Sequence, residues 1–194
     1  MNGSRDFFPD LLKALDSSRL MSKRQIVISE GITSNVAKRV IADLLFLDQE
    51  SNDKIVIFLN SPGGEVTSGF GIFDTIRFIT SPVTIVNTGL CASIATVINV
   101  SVKKKFRLTM PNTKFLIHQP LIMGRIYGQA SDIEITAKDI IKTRDSINTL
   151  LSKECGQPIE KVEKDTKRDY WMNASEALEY GLVSKIVKKI KEVC

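Results

Sequence analysis

Two short apolar runs, Ile55-Val-Ile-Phe-Leu59 and Val83-Thr-Ile-Val-Asn87, constrain this chain most. Neither alternates cleanly between apolar and polar, so each reads as a strand buried on both faces, the pattern of a parallel sheet covered by helices. A parallel neighbour needs a crossover of about a dozen residues, and residues 67–79 supply a helical one. The same rhythm extends both ways. Gln25-Ile-Val-Ile-Ser29 reads as a strand, and Val36, Val40, Ile41, Leu44, Leu45 and Leu47 keep helical spacing. Residues 93–102 are apolar nearly all round, which marks a buried helix. Residues 106–110 and 114–117 read as two more strands. The alternation predicts an α/β fold with parallel strands.

No linker or low-complexity stretch divides the 194 residues, so one domain, 1–194, is expected. No uncharged apolar stretch reaches the ~18 residues of a membrane span. The N-terminal segment, 1–24, lacks the charge and apolar order of a leader and reads as a short helix over Pro9-Asp-Leu-Leu-Lys-Ala-Leu15. Cys91, Cys155 and Cys194 are few and widely spaced, which fits a reducing, cytoplasmic setting and no metal site. The net charge of +5 sits partly in Lys103-Lys-Lys105 and in a basic tail, 188–194. Stacking aromatics are not interleaved there, so solvated loops and a solvated tail are expected, with no nucleic-acid partner.

Beyond residue 120 the pattern changes. Leu121-Ile-Met-Gly-Arg-Ile-Tyr127 reads as an exposed strand or extended loop. Ser131-Asp-Ile-Glu134 has the form of a capping box and opens a helix running to about Cys155. Together 121–155 predict a projecting arm. Asn173-Ala-Ser-Glu176 is a second capping box, and Gly181 closes the short helix that follows.

Chemistry concentrates in a few places. The chain has one histidine, His118, in Lys114-Phe-Leu-Ile-His-Gln-Pro120, so an imidazole base can only be this one. Ser93 stands where the glycine-marked segment Gly89-Leu-Cys-Ala-Ser93 becomes an apolar helix. It suits a nucleophile beside free backbone amides, but a plain N-cap explains the residue type fully on this segment alone. Ser61-Pro-Gly-Gly64 suits one wall of an oxyanion hole, a strip that pairs with an extended peptide, or a tight strand-to-helix turn. A carboxylate to orient the imidazole is offered by Asp165 and by Asp169, four residues apart, and the local pattern does not choose between them.

These segments, taken in order, resemble the ClpP family of Clp protease proteolytic subunits over about residues 19–187. The matching elements are Ser18-Arg-Leu20, Asn60-Ser-Pro-Gly-Gly64, Gly89 with Ala92-Ser93, Pro111-Asn112, Ile117-His-Gln-Pro120, Gly128-Gln-Ala-Ser-Asp-Ile-Glu134, Gly156-Gln157, Asp165-Thr-Lys-Arg-Asp169 and Glu179-Tyr-Gly-Leu182. The resemblance implies repeated β-β-α units in a crotonase-like arrangement, with a strand–helix handle over 121–155. It implies a serine endopeptidase with Ser93 as nucleophile, His118 as general base and Asp169 as its orienting carboxylate. The oxyanion donors it implies are the N–H groups of Gly64 and Ile94. It also implies heptameric rings stacked as a tetradecamer, homomeric or mixed with a paralogue, with an inter-ring contact through Asp132 and Arg168. An AAA+ unfoldase of ClpX, ClpA or ClpC type would feed unfolded polypeptides. No metal or cofactor is required, since ATP belongs to the unfoldase.

Four departures stand out. Ala95 occupies a usual glycine position, Ile122-Met123 replaces a usual Gly-Gly, Lys103-Lys-Lys105 replaces a glycine-rich turn, and the axial segment with its Gly-Glu-Arg is missing. Such divergence resembles the second paralogue of two-copy systems or organellar copies. It raises the alternative of a catalytically weak ring subunit that needs an active paralogue. A crotonase-like acyl-CoA enzyme shares the fold class but has no need of a Ser–His–Asp set.

Overall fold

The computed structural model describes residues 20–121 and 128–193. The helix expected over Pro9–Leu15, the Ile122-Met123 segment with most of its expected strand, and Cys194 lie outside the described residues. Thirteen elements follow in order: β1 (Gln25–Ile28), α1 (Ser34–Glu50), β2 (Ile55–Ser61), α2 (Val66–Phe78), β3 (Val83–Ala92), α3 (Ile94–Asn99), β4 (Arg107–Thr109), β5 (Lys114–Ile117), α4 (Ala130–Cys155), α5 (Ile159–Thr166), β6 (Tyr170–Met172), α6 (Ala174–Tyr180) and β7 (Lys185–Ile186).

The main sheet runs β1-β2-β3-β4-β7 with every pairing parallel, as the apolar runs predict. Alternate residues face opposite sides of a strand. Ile55, Ile57, Leu59 and Ile85 join the larger core beneath α1, α2 and α3. Val56, Val86 and Leu108 form a smaller cluster on the other face, closed by Val187 and Val193. The tail therefore docks where a freely solvated one was expected. Its lysines stay exposed, but Val193 is buried and its carbonyl accepts a 2.6 Å bond from Lys54 Nζ. An uncovered apolar face of β2, β3 and β4 is the physical reason.

β3 is longer than its apolar run. Residues 83–87 pair with β2, and 90–92 pair with β5. The glycine-marked segment at Gly89 is a bend inside one strand. Gly89 adopts φ +65°, and a Cβ there would meet Asn60 Oδ1 at 2.8 Å. That bend redirects the end of β3 toward β5, which pairs antiparallel with β6 through Phe115–Met172, Leu116–Trp171 and Ile117–Tyr170. α3 is also shorter than expected, six residues against the predicted ten, because regular helix stops at Asn99.

α4 is exposed over its N-terminal half. Its buried residues, Ile147, Asn148, Leu151 and Cys155, all lie in its C-terminal half, while Ile133, Ile135 and Ile141 are exposed. Its start corrects the sequence reading. Ala130 is already helical, the N–H groups of Asp132 and Ile133 both bond to Gln129 O, and no side chain caps the end, so Ser131 lies inside the helix. The box at Asn173 forms in full, and Gly181 closes α6 at φ +97°.

The root of α4 is fixed by Glu154, which pairs with Arg77 at 2.7 Å and with the fully buried Arg107. Arg107 also donates to the carbonyls of Val102 (2.8 Å) and Val100 (3.3 Å), and Arg77 to that of Ser101 (3.1 Å). Three backbone acceptors just beyond α3 are thus tied to α2, β4 and α4. Burial pushes the Glu154 carboxyl up, but hydrogen bonds from Arg77 and Arg107 outweigh burial and hold it below the usual carboxylate range. Glu154→Gln leaves Arg107 buried without its counter-charge and is expected to cost about 3 kcal/mol, read by urea denaturation at neutral pH. A carboxyl held low when folded stabilises fully above its unfolded value and stops doing so as pH falls through its folded value. The variant should therefore lose less stability than the parent on acidification.

Candidate active site

Three backbone features meet around Ser93. β3 ends at Ala92, and the Ser93 N–H bonds to Leu116 O at 2.9 Å, which anchors the turn to β5. Ser93 has φ 56° and ψ −128°, a conformation side-chain-bearing residues rarely adopt. Its hydroxyl makes no capping bond to α3, so the N-cap reading of this serine does not hold. Ile94 opens α3, and a residue there has no intrahelical partner for its N–H.

The turn is enclosed by glycines. A Cβ on Gly63 would lie 2.6 Å from Ser93 Cβ, 2.7 Å from Ala92 O and 3.2 Å from Ile94 N, and Gly63 itself adopts φ +90°. On the other side, a Cβ on Gly69 of α2 would lie 2.2 Å from Ile94 Cγ1. Gly64 bridges to Ile32: Ile32 N–H bonds to Gly63 O and Glu65 N–H to Ile32 O, each at 2.8 Å, and the bridge does not use the Gly64 N–H. The Gly-Gly turn thus lies against the start of α3. Sequence reasoning singled out Gly64 and missed the close approaches at Gly63 and Gly69. Gly63→Ala is expected to destabilise the protein by about 1–3 kcal/mol. Gly31→Ala is the control, because its nearest neighbour is Gly63 O at 3.7 Å and no left-handed backbone is required. Equal denaturation midpoints for the two variants would contradict the close packing.

His118 follows β5 directly and shares a cavity of about 20 Å³ with Ser93. The surrounding walls are mostly apolar, with Val66, Ile94, Val97, Ile117, Ile147 and Leu151 beside Thr96. His118 Nδ1 lies 3.2 Å from Asp169 Oδ1, with the His118 side chain 13% exposed and that of Asp169 63% exposed. Of the two carboxylates left open by the sequence, Asp169 is therefore the one that faces the imidazole. α5 stops at Thr166, so the two acids do not share a helix face. Asp165 instead binds Lys161 at 2.6 Å, and the Lys161 ammonium lies 4.4 Å from the Tyr180 ring centroid.

Cys91 and Cys155 are free and buried. Burial pushes both thiols up, that of Cys155 to about 11, so neither is an ionised nucleophile at neutral pH. Ala95, one of the divergent positions, is fully buried in the core. Asp132 and Arg168 are exposed, and among the described residues no ion pair joins them within one chain. Also among the described residues, no cluster of His, Cys, Asp and Glu could hold a metal ion, and no helix is long and apolar enough to cross a membrane.

The arrangement can hold an imidazole by a carboxylate beside a strained serine and a free helix-start N–H, which is the equipment of acyl transfer. Comparison with known proteins points the same way. The family model described as Clp protease matches residues 13–190. The ATP-dependent Clp protease proteolytic subunit 3 of Rhizobium meliloti (strain 1021) is 46% identical over 176 residues, covering 91% of this chain and 89% of that protein. The ATP-dependent Clp protease proteolytic subunit of Porphyromonas gingivalis (strain ATCC BAA-308 / W83) is 46% identical over 173 residues, covering 89% and 77%. A solved structure of a ClpP1 point mutant from Listeria monocytogenes superposes with a TM-score of 0.84 at 39% identity, covering 92% of this chain and 99% of the other. With the mixed α/β fold, the family match and these relatives in agreement, the chain belongs to the ClpP family of Clp protease proteolytic subunits.

Proposed function

We propose that this chain is a serine endopeptidase subunit that hydrolyses unfolded polypeptides inside a ring chamber. Ser93 attacks the peptide carbonyl, His118 takes its proton and returns it to the leaving amine, and Asp169 holds the imidazole with its proton on Nδ1. The N–H groups of Gly64 and Ile94 receive the oxyanion. The observation that carries this reading is the 3.2 Å contact between His118 Nδ1 and Asp169 Oδ1, on the one histidine, which lines the cavity of Ser93. No metal or organic cofactor takes part. Fluorophosphonate labelling tests the reading: label found on Ser93 by peptide mass mapping supports it, and label absent from Ser93 in assembled protein removes it.

Chamber formation is part of the proposal. The exposed Ile133, Ile135 and Ile141 of α4 lack a core of their own and bury against a facing ring, with Asp132 and Arg168 meeting across it. The rings are heptameric, stacked in pairs, homomeric or mixed with a paralogue, and fed by an AAA+ unfoldase. Native mass spectrometry showing only monomer, with and without a paralogue, would contradict this.

One observation favours a second reading, a subunit that is weakly active alone. The Asp169 side chain is 63% exposed, and a carboxylate so open to water orients an imidazole poorly until something covers it. Hydrolysis of a short fluorogenic peptide by the chain alone and by the chain co-expressed with a paralogue separates the two readings.

A further inference from the structure

We infer that Gln119 is a positioning residue whose main chain and side chain together set the His118–Asp169 contact. The inference rests on the proposed role of that pair. An ion pair or charged hydrogen bond open to water contributes little and tolerates wide geometry. With Asp169 63% exposed, attraction between the two side chains does not by itself fix the position of the imidazole. The backbone around them must do so.

Two tethers flank the pair. On one side, Ile117 is in register with Tyr170 in the antiparallel β5–β6 ladder. On the other side, Gln119 N–H donates to Thr166 O at 2.7 Å, and Gln119 Nε2 donates to Lys167 O at 3.1 Å. Residue 117 is thus tied to 170, and 119 to 166 and 167, while 118 faces 169. The contact sits inside a loop closed at both ends. The two carbonyls that Gln119 binds lie at the C-terminal end of α5, where helical carbonyls have no intrahelical partner. Gln119 therefore caps α5 and fixes the turn leading to Asp169 with the same two bonds. Pro120 supports this by disfavouring helical backbone at Gln119, which keeps the chain extended beyond β5.

The ladder and the main-chain bond survive any side-chain substitution. The carboxamide bond is the removable part, and it borders an open polar cleft lined by Arg144, Asn148, Glu163 and Lys167, from which water competes for the Lys167 carbonyl. Losing it should let the 167–169 turn drift without unfolding α5.

The single histidine makes the test direct, because every imidazole signal is that of His118. Free neutral histidine favours the proton on Nε2, whereas the contact with Asp169 requires it on Nδ1. Imidazole ¹⁵N shifts of the full chain, at a pH where the ring is neutral, read the tautomer. Gln119→Met keeps length and loses the donor; Gln119→Glu keeps shape and loses it too. Both are expected to move the tautomer ratio toward that of Asp169→Asn, with circular dichroism unchanged. Both should also lower kcat for a fluorogenic peptide about 10-fold, as for one net hydrogen bond, with KM little changed. A parent-like tautomer ratio in both variants overturns the inference. The tautomer does not depend on hydrolysis, so absence of Ser93 labelling in the parent would remove the proposed activity while the ¹⁵N result still decides the role of Gln119.

Discussion

Ser93→Ala is expected to remove hydrolysis of a short fluorogenic peptide, with a fall on the order of 10⁶-fold in kcat. Loss of a nucleophile cannot be shared out among the remaining groups. The free N–H of Ile94 and the Gly64 turn stay in place and support only the slow residual reaction of bound water. No other group on the described chain substitutes, because Cys91 lies two residues away but is fully buried and un-ionised. The substitution should leave stability and assembly intact, since the Ser93 hydroxyl caps nothing and alanine keeps the Cβ that packs on Gly63. Parent-like denaturation and native mass, with hydrolysis lost and fluorophosphonate labelling absent, is the expected set. Substantial hydrolysis in a clean preparation would sink the assignment of Ser93.

Much of this was legible in the sequence, for identifiable reasons. The apolar runs at 55–59 and 83–87 are buried on both faces, so their lack of alternation directly reports a covered parallel sheet. Ser93 and His118 were legible as candidates because a serine at a helix start and a solitary imidazole are local features. Three things were not. The local pattern did not choose between Asp165 and Asp169, and only the family resemblance named Asp169, because the choice depends on α5 ending at Thr166 and boundaries are weakly encoded in a polar stretch such as 160–169. The glycines at 63 and 69 read as an ordinary turn and an ordinary helix interior; their importance comes from Ser93 and Ile94, which the fold brings against them from some 25 to 30 positions away. The docked tail was missed because its lysines are indeed solvated, and only Val187 and Val193 report the exposed sheet face beneath.

The pair of acids gives the second large effect. Asp169→Asn is expected to lower kcat on the order of 10⁴-fold, while Asp165→Asn leaves kcat near the parent value. The asymmetry follows from what each carboxylate touches. Asparagine at 169 has nearly the shape of aspartate but offers an N–H₂ group toward Nδ1, which stabilises an imidazole protonated on Nε2. A ring in that tautomer presents a proton to Ser93 where a lone pair is needed, so it cannot act as base. Asparagine at 165 loses the contact with Lys161, an i,i+4 pair on α5, and the negative charge beside the Tyr180 hydroxyl, neither of which touches His118. With the Asp165 side chain only 12% exposed, that loss should appear as a fall in stability, about 1–3 kcal/mol, and not in the chemical step. Exposure of Asp169 sets the size of the contrast. If assembly covers Asp169, the full factor should appear in the assembled particle and a smaller one in dissociated chains, where water already competes for Nδ1. Steady-state kinetics on both variants, each in the assembled state confirmed by native mass, give the comparison. A larger fall at 165 than at 169 would show that the imidazole takes its orientation from α5 rather than from the turn beyond it.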